Sequence, residues 1–78
     1  TGLANRRLFL DRIAQKVGEE AVETVIAAKD DDVGALKNEA ADLIFHLLIL
    51  LKEKGCGLED IVEVLRQRKR PSFNDATL

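Results

Sequence analysis

From Val33 to Lys54 the chain carries apolar residues on nearly every side of a prospective helix. Leu36, Ala40, Leu43, Leu47, Leu50 and Leu51 form one broad apolar face, and Ile44 and Leu48 widen it almost to the full circumference. A helix that is apolar nearly all round belongs at the centre of a core or in an interface. The longest unbroken apolar run is Leu47 to Leu51, or Leu43 to Leu51 if His46 is allowed. Either is far short of the roughly 20 residues that a membrane span needs. This helix must therefore be covered by protein, and a chain of 78 residues has little else to cover it with.

The flanking segments are helical too. A first helix is expected from about Asn5 to Ala28, because Leu10, Ile13, Ala14, Val17, Ala21, Val25 and Ala28 recur at helical spacing. Gly18 lies inside it at a cost of about 1 kcal/mol relative to alanine. It marks either a break in the helix or the close approach of another backbone. Lys29 to Gly34 reads as a turn, with Asp30, Asp31 and Asp32 as N-cap candidates for the second helix. Gly55 ends that helix, and Lys52 and Lys54 suit its negative end. A third helix is expected from about Leu58 to Arg68, with Leu58, Ile61, Val62 and Leu65 facing inward. The single proline, Pro71, opens a loose tail.

No segment alternates apolar and polar residues at strand length. The expected fold is an all-α bundle of about three to four helices per chain, a single domain over residues 1–70 followed by a tail over 71–78. Three helices leave the Phe45 and Leu48 side of the second one uncovered. An apolar face of that length marks an interface, so the bundle is expected to be completed by a homodimer or larger homo-oligomer.

Composition removes the other ways of stabilising so short a chain. With one cysteine, Cys56, there is no internal disulfide, and with one histidine, His46, no finger-type zinc site. A net charge of −2 argues against general affinity for nucleic acid or anionic membrane. Three Phe without Trp or Tyr argue against RNA binding by aromatic stacking. The opening TGLANRRLFLDR contains no secretory h-region, and a lone cysteine fits a reducing compartment, so a cytoplasmic location is expected.

The chemistry lies in the carboxylates. Glu20 and Glu23 are three residues apart on the first helix, and Glu39 and Asp42 three apart on the second. Residues at i and i+3 share a helix face. At about 100° per residue, Glu39, Asp42 and His46 form a narrow stripe bordering the Leu43/Leu47/Leu50 face, while Glu20 and Glu23 flank the Ile13/Val17 face. Antiparallel packing through those faces brings four carboxylates together beside the core. Such a group suits a hard divalent cation, Mg²⁺ or Mn²⁺, and phosphate-ester or phosphoanhydride chemistry. Paired glutamates are also common on solvated helix faces, and spacing alone leaves both readings open. Glu19 points to the surface. His46 reads as a packed histidine at the core edge, or as a group orienting Asp42 one turn away. Lys16 reads as an i,i+4 partner of Glu20 or as a phosphate contact. Cys56 and the Arg66–Arg70 basic cluster call for no special role.

The strings KVGEEAVE (Lys16 to Glu23) and EAADLIFHLL (Glu39 to Leu48) resemble the phosphoribosyl-ATP pyrophosphohydrolase family of histidine biosynthesis. That family is part of the all-α, MazG-like nucleoside triphosphate pyrophosphohydrolase group, with its ExxE, spacer, ExxD pattern. Fifteen residues separate Glu23 from Glu39, and the resemblance runs from about Leu8 to Arg68. It implies hydrolysis of 1-(5-phosphoribosyl)-ATP between its α and β phosphates, giving 1-(5-phosphoribosyl)-AMP and pyrophosphate. It also implies a helical dimer. Carried over, Glu20, Glu23, Glu39 and Asp42 would be the catalytic, Mg²⁺-holding residues, with Lys16 and His46 as substrate contacts.

The family pattern has a further N-terminal helix and a basic Ser-Tyr-Thr segment ahead of this point, where this chain opens on Thr1-Gly2-Leu3, so contacts from that region are not carried over. The cyclohydrolase sometimes fused to such enzymes needs a cysteine-rich site, so only the pyrophosphohydrolase step is expected here. Two other functions fit the same residues: a pyrophosphatase of free or damaged nucleoside triphosphates, and a non-catalytic helical dimerisation module.

Overall fold

The computed structural model describes residues 2–68. The expected tail over 71–78 and its Pro71 lie outside the described residues. Among the described residues there are three helices and no strand: α1 (Gly2–Lys29), α2 (Val33–Glu53) and α3 (Leu58–Gln67). The helix starts and stops follow from capping chemistry. Each aspartate of the DDD turn has its own place. The Asp30 amide still donates to the Ile26 carbonyl at 3.0 Å. Asp31 adopts φ 62°, a left-handed conformation that Asp tolerates better than most residues. Asp32 caps α2, its Oδ1 accepting from the Ala35 amide at 2.9 Å. At the other end Gly55, with φ 84°, closes α2. Its amide donates to the Lys52 carbonyl and the Cys56 amide to the Leu51 carbonyl, both at 3.0 Å, the pattern of a Schellman motif. The first turn of α3 is secured by the Gly57 amide donating to Asp60 Oδ2 at 2.8 Å.

α1 and α2 pack antiparallel as a hairpin. On α1 the residues that lose solvent are Leu10, Ile13, Val17, Glu20, Thr24 and Ala27, with Ala21 beside them; on α2 they include Leu36, Glu39, Leu43, His46, Leu50 and Glu53. Both sets step by three and four, the 3.5-residue repeat that keeps one seam facing a partner helix. This corrects the expected stripes. Ala14, Val25 and Ala28 face solvent, and Glu20 and Ala27 are buried instead. On α2, Leu47 is exposed while His46 is half-buried. The cause is geometric: helical spacing alone allows several neighbouring stripes, and only contact with the second helix selects one.

Gly18 does not break α1, and among the described residues no other segment approaches it, since a Cβ built there meets nothing within 4 Å. The expectation that Leu58, Ile61, Val62 and Leu65 face inward is also corrected, because all four are exposed. Among the described residues nothing covers their face, because α3 leaves the hairpin beyond Gly55 and does not fold back onto it. The molecule measures 51 × 33 × 13 Å, so it is about one helix thick. Among the described residues no side chain is fully buried, and Ile13 and Ala27 are the buried apolar residues. No helix among them is long and apolar enough to cross a membrane.

Candidate active site: carboxylates across the hairpin seam

The antiparallel register sets the end of α1 that carries Glu20 and Glu23 against the half of α2 that carries Glu39, Asp42 and His46. Glu20 is a seam residue and is only 8% exposed. A buried carboxylate needs a partner, and His46 provides it. Nδ1 of His46 lies 2.6 Å from Glu20 Oε1. The same nitrogen lies 3.1 Å from the backbone carbonyl oxygen of Asp42. The imidazole thus meets Asp42 through its main chain rather than its carboxylate, as the core-edge reading allows. The Phe45 ring packs edge-on against it, with centroids 5.1 Å apart. The Thr24 hydroxyl donates to the Glu20 carbonyl at 2.6 Å, one turn along α1.

Glu23 and Glu39 form the second link across the seam. A side-chain hydrogen bond with Glu23 is the largest influence raising the pKa of Glu39 above the ordinary carboxylate value. Partial desolvation, and then the negative charges of Glu23, Asp42 and Glu20, push the same way. Two carboxylates can share a hydrogen bond only when one carries a proton, so anionic neighbours stabilise the neutral form of Glu39. The other three predicted acidic residues thus all act electrostatically on Glu39. Glu23, Ile26, Ala27, Asp30, Asp32, Ala35 and Glu39 line an open cavity of about 340 Å³ toward the hairpin turn.

Other predicted residues fall as follows. Lys16 is exposed, and among the described residues no ion pair joins it to Glu20. Glu19 is at the surface, accepting from Gln15 Nε2 at 3.0 Å. The thiol of Cys56 sits 3.5 Å from the Leu51 carbonyl oxygen, within the α2 cap.

The four carboxylates offer the right donor chemistry for an oxygen-seeking divalent cation. Among the described residues, no three His, Cys, Asp or Glu side chains are already disposed to hold a metal ion. Glu23 and Asp42 are exposed, so packing does not keep their carboxylates from a common point. The donor set fits such a cation in chemistry and electrostatics; what it lacks is a preformed cage. The link that sequence reasoning missed is Glu20 to His46. Its signal was the three-and-four spacing of Ile13, Val17, Glu20 and Thr24, and of Leu43, His46 and Leu50, which puts both polar residues at seam positions.

A two-helix hairpin with ExxE on one strand of the seam and ExxD on the other defines an all-α carboxylate site. The sequence model of the phosphoribosyl-ATP pyrophosphohydrolase family matches residues 3–69, and the chain belongs to that family. It is 60% identical over 57 residues to the phosphoribosyl-ATP pyrophosphatase of Zymomonas mobilis, covering 73% of this chain and 53% of that one. It is 52% identical over 68 residues to the phosphoribosyl-ATP pyrophosphatase of Streptococcus gordonii, covering 85% and 65%. It is 54% identical over 59 residues to a histidine biosynthesis bifunctional protein of Bacillus subtilis, covering 76% and 28%. The matches thus span less than two thirds of each of these relatives.

Proposed function

We propose that the chain hydrolyses 1-(5-phosphoribosyl)-ATP between its α and β phosphates, releasing pyrophosphate and 1-(5-phosphoribosyl)-AMP, the second step of histidine biosynthesis. The observation that supports this reading is that Glu20 and Glu23 of α1 lie near enough to Glu39 of α2, with Asp42 one turn on, for all three to raise the pKa of Glu39, in a chain of this family. These four residues would hold Mg²⁺, or Mn²⁺ in its place. When bound, such a cation would neutralise their mutual repulsion and supply Lewis-acid polarisation of water and phosphate.

The chain's own residues do the rest. Glu20 is anchored in the seam. Glu39 and Glu23 present a shared hydrogen-bonding edge at the cavity, where one carboxylate steers the attacking water. Lys16 offers an exposed ammonium one turn before Glu20 for a phosphate oxygen. Water adds to phosphorus, the bridging P–O bond breaks toward pyrophosphate, and the proton of the water passes to a carboxylate or to solvent. The working form is a homodimer. Support for it comes from the one-layer shape and from a run of uncovered apolar side chains, Val22, Val25 and Ile26 on α1 and Ile44 and Phe45 on α2.

The test is pyrophosphate release from phosphoribosyl-ATP with Mg²⁺, with ATP and dUTP as comparison substrates. Selective release that EDTA abolishes is expected. Glu39→Gln and Asp42→Asn should each lower kcat by about 10²- to 10³-fold, the scale of losing one electrostatic stabiliser, with helical content unchanged. Full turnover by both variants would remove the site assignment. Release mainly from ATP or dUTP would move the chain to the nucleoside triphosphate branch.

A further inference from the structure

We infer that His46 is a positioning residue, which holds Glu20 through Nδ1 and leaves a single carboxylate oxygen, Oε2, for the site. This inference rests on the metal-dependent reading above. Nδ1 lies 2.6 Å from Glu20 Oε1 and 3.1 Å from the Asp42 carbonyl oxygen. A backbone carbonyl such as that of Asp42 only accepts hydrogen bonds. The hydrogen must therefore sit on Nδ1, where it serves both oxygens. Nδ1 is then fully committed and is unavailable to a substrate.

The contact also fixes Glu20. Its side chain is buried in the seam, and no buried side-chain polar atom among the described residues lacks a partner. With Oε1 engaged by the imidazole, Oε2 is the oxygen of Glu20 that would be offered to a cation. Groups that orient a ligand in this way commonly tune metal affinity by about 10- to 100-fold when removed. The same ring bonds the main chain of Asp42 on α2, so one side chain ties together carboxylate-bearing turns of both helices.

The chain's two amide mimics of histidine discriminate the roles. The asparagine amide nitrogen falls where Nδ1 lies, and the glutamine amide nitrogen where Nε2 lies. Mn²⁺ affinity, measured by titration without substrate, should fall about 10- to 100-fold in His46→Leu and His46→Gln, and stay near the parent value in His46→Asn. KM for phosphoribosyl-ATP at saturating Mn²⁺ should change little in all three. A Gln variant that binds and turns over like the parent, with a defective Asn variant, would overturn the inference in favour of a contact through Nε2. Unchanged Mn²⁺ affinity in all three, with an active parent, would overturn it while leaving the proposed function standing. A parent that binds no Mn²⁺ and releases no pyrophosphate would remove both. A readout free of metal comes from the ring itself, the only imidazole in the chain. Its ¹⁵N spectrum should show Nδ1 carrying hydrogen, and a bare Nδ1 would overturn the inference.

Discussion

The α1–α2 hairpin and α3 are built from the same kinds of residue and reach different ends. The hairpin buries a seam of apolar side chains and sets two polar pairs into it. α3 is the most amphipathic of the three helices, yet Leu58, Ile61, Val62 and Leu65 all face solvent. α3 owes its form to local bonds, chiefly the Gly57 amide on Asp60 Oδ2. Capping and periodicity are enough to start and stop a helix, but burial needs a second surface. The hairpin contains its own, and α3 does not. The hairpin is therefore where chemistry can be positioned, because only there are side chains held from two directions.

The sharpest way to break this contrast is to cut one apolar residue from each region. Ile13 is 9% exposed and Ile61 38% exposed. Ile13→Ala should destabilise the chain by about 2–5 kcal/mol, the cost of emptying a packed site. Ile61→Ala should cost no more than about 0.5 kcal/mol in a monomer, as a surface change does. Urea unfolding at several protein concentrations checks both. An Ile61→Ala cost that approaches that of Ile13→Ala, and grows with concentration, would show that a second copy covers α3.

Smaller effects test what capping contributes. Asp32→Ala removes the acceptor for the Ala35 amide and should cost about 1 kcal/mol. That loss would appear in the hairpin's unfolding midpoint, because α2 is one side of the seam.

The last effect concerns Glu39, and its sign follows from linkage. Its pKa is raised in the folded chain, with the hydrogen bond to Glu23 as the first cause. The folded state therefore holds a proton more tightly than the unfolded state, and stability falls as pH climbs from the ordinary value of 4.5 through the raised one. Glu39→Gln removes that penalty. In metal-free buffer it should melt higher than the parent at neutral pH, and the gap should close below pH 4.5. A variant that melts lower at pH 7 and catches up on acidification would reverse the argument.

Much of this was legible in the chain. The three helices were readable from apolar spacing, the Asp turn and the glycines. The first begins earlier than Asn5, since nothing between Gly2 and Asn5 stops a helix. The four acidic residues were legible as two i, i+3 pairs, because spacing along one helix is a local property. Which stripe faces the partner was not legible, and so Ala14, Val25, Ala28 and Leu47 were expected inside. An apolar residue can be stranded outside when the register puts a glutamate and a histidine in the seam.

The sequence by itself determined helix type, helix ends and the axial placement of the carboxylates, since these depend on backbone geometry and on neighbours within one turn. Only the tertiary structure decided that Glu20 is buried, that His46 is its partner, that Glu39 meets Glu23 across the seam, and that α3 stands uncovered. Each of those depends on the relative rotation of two helices, which no single helix encodes.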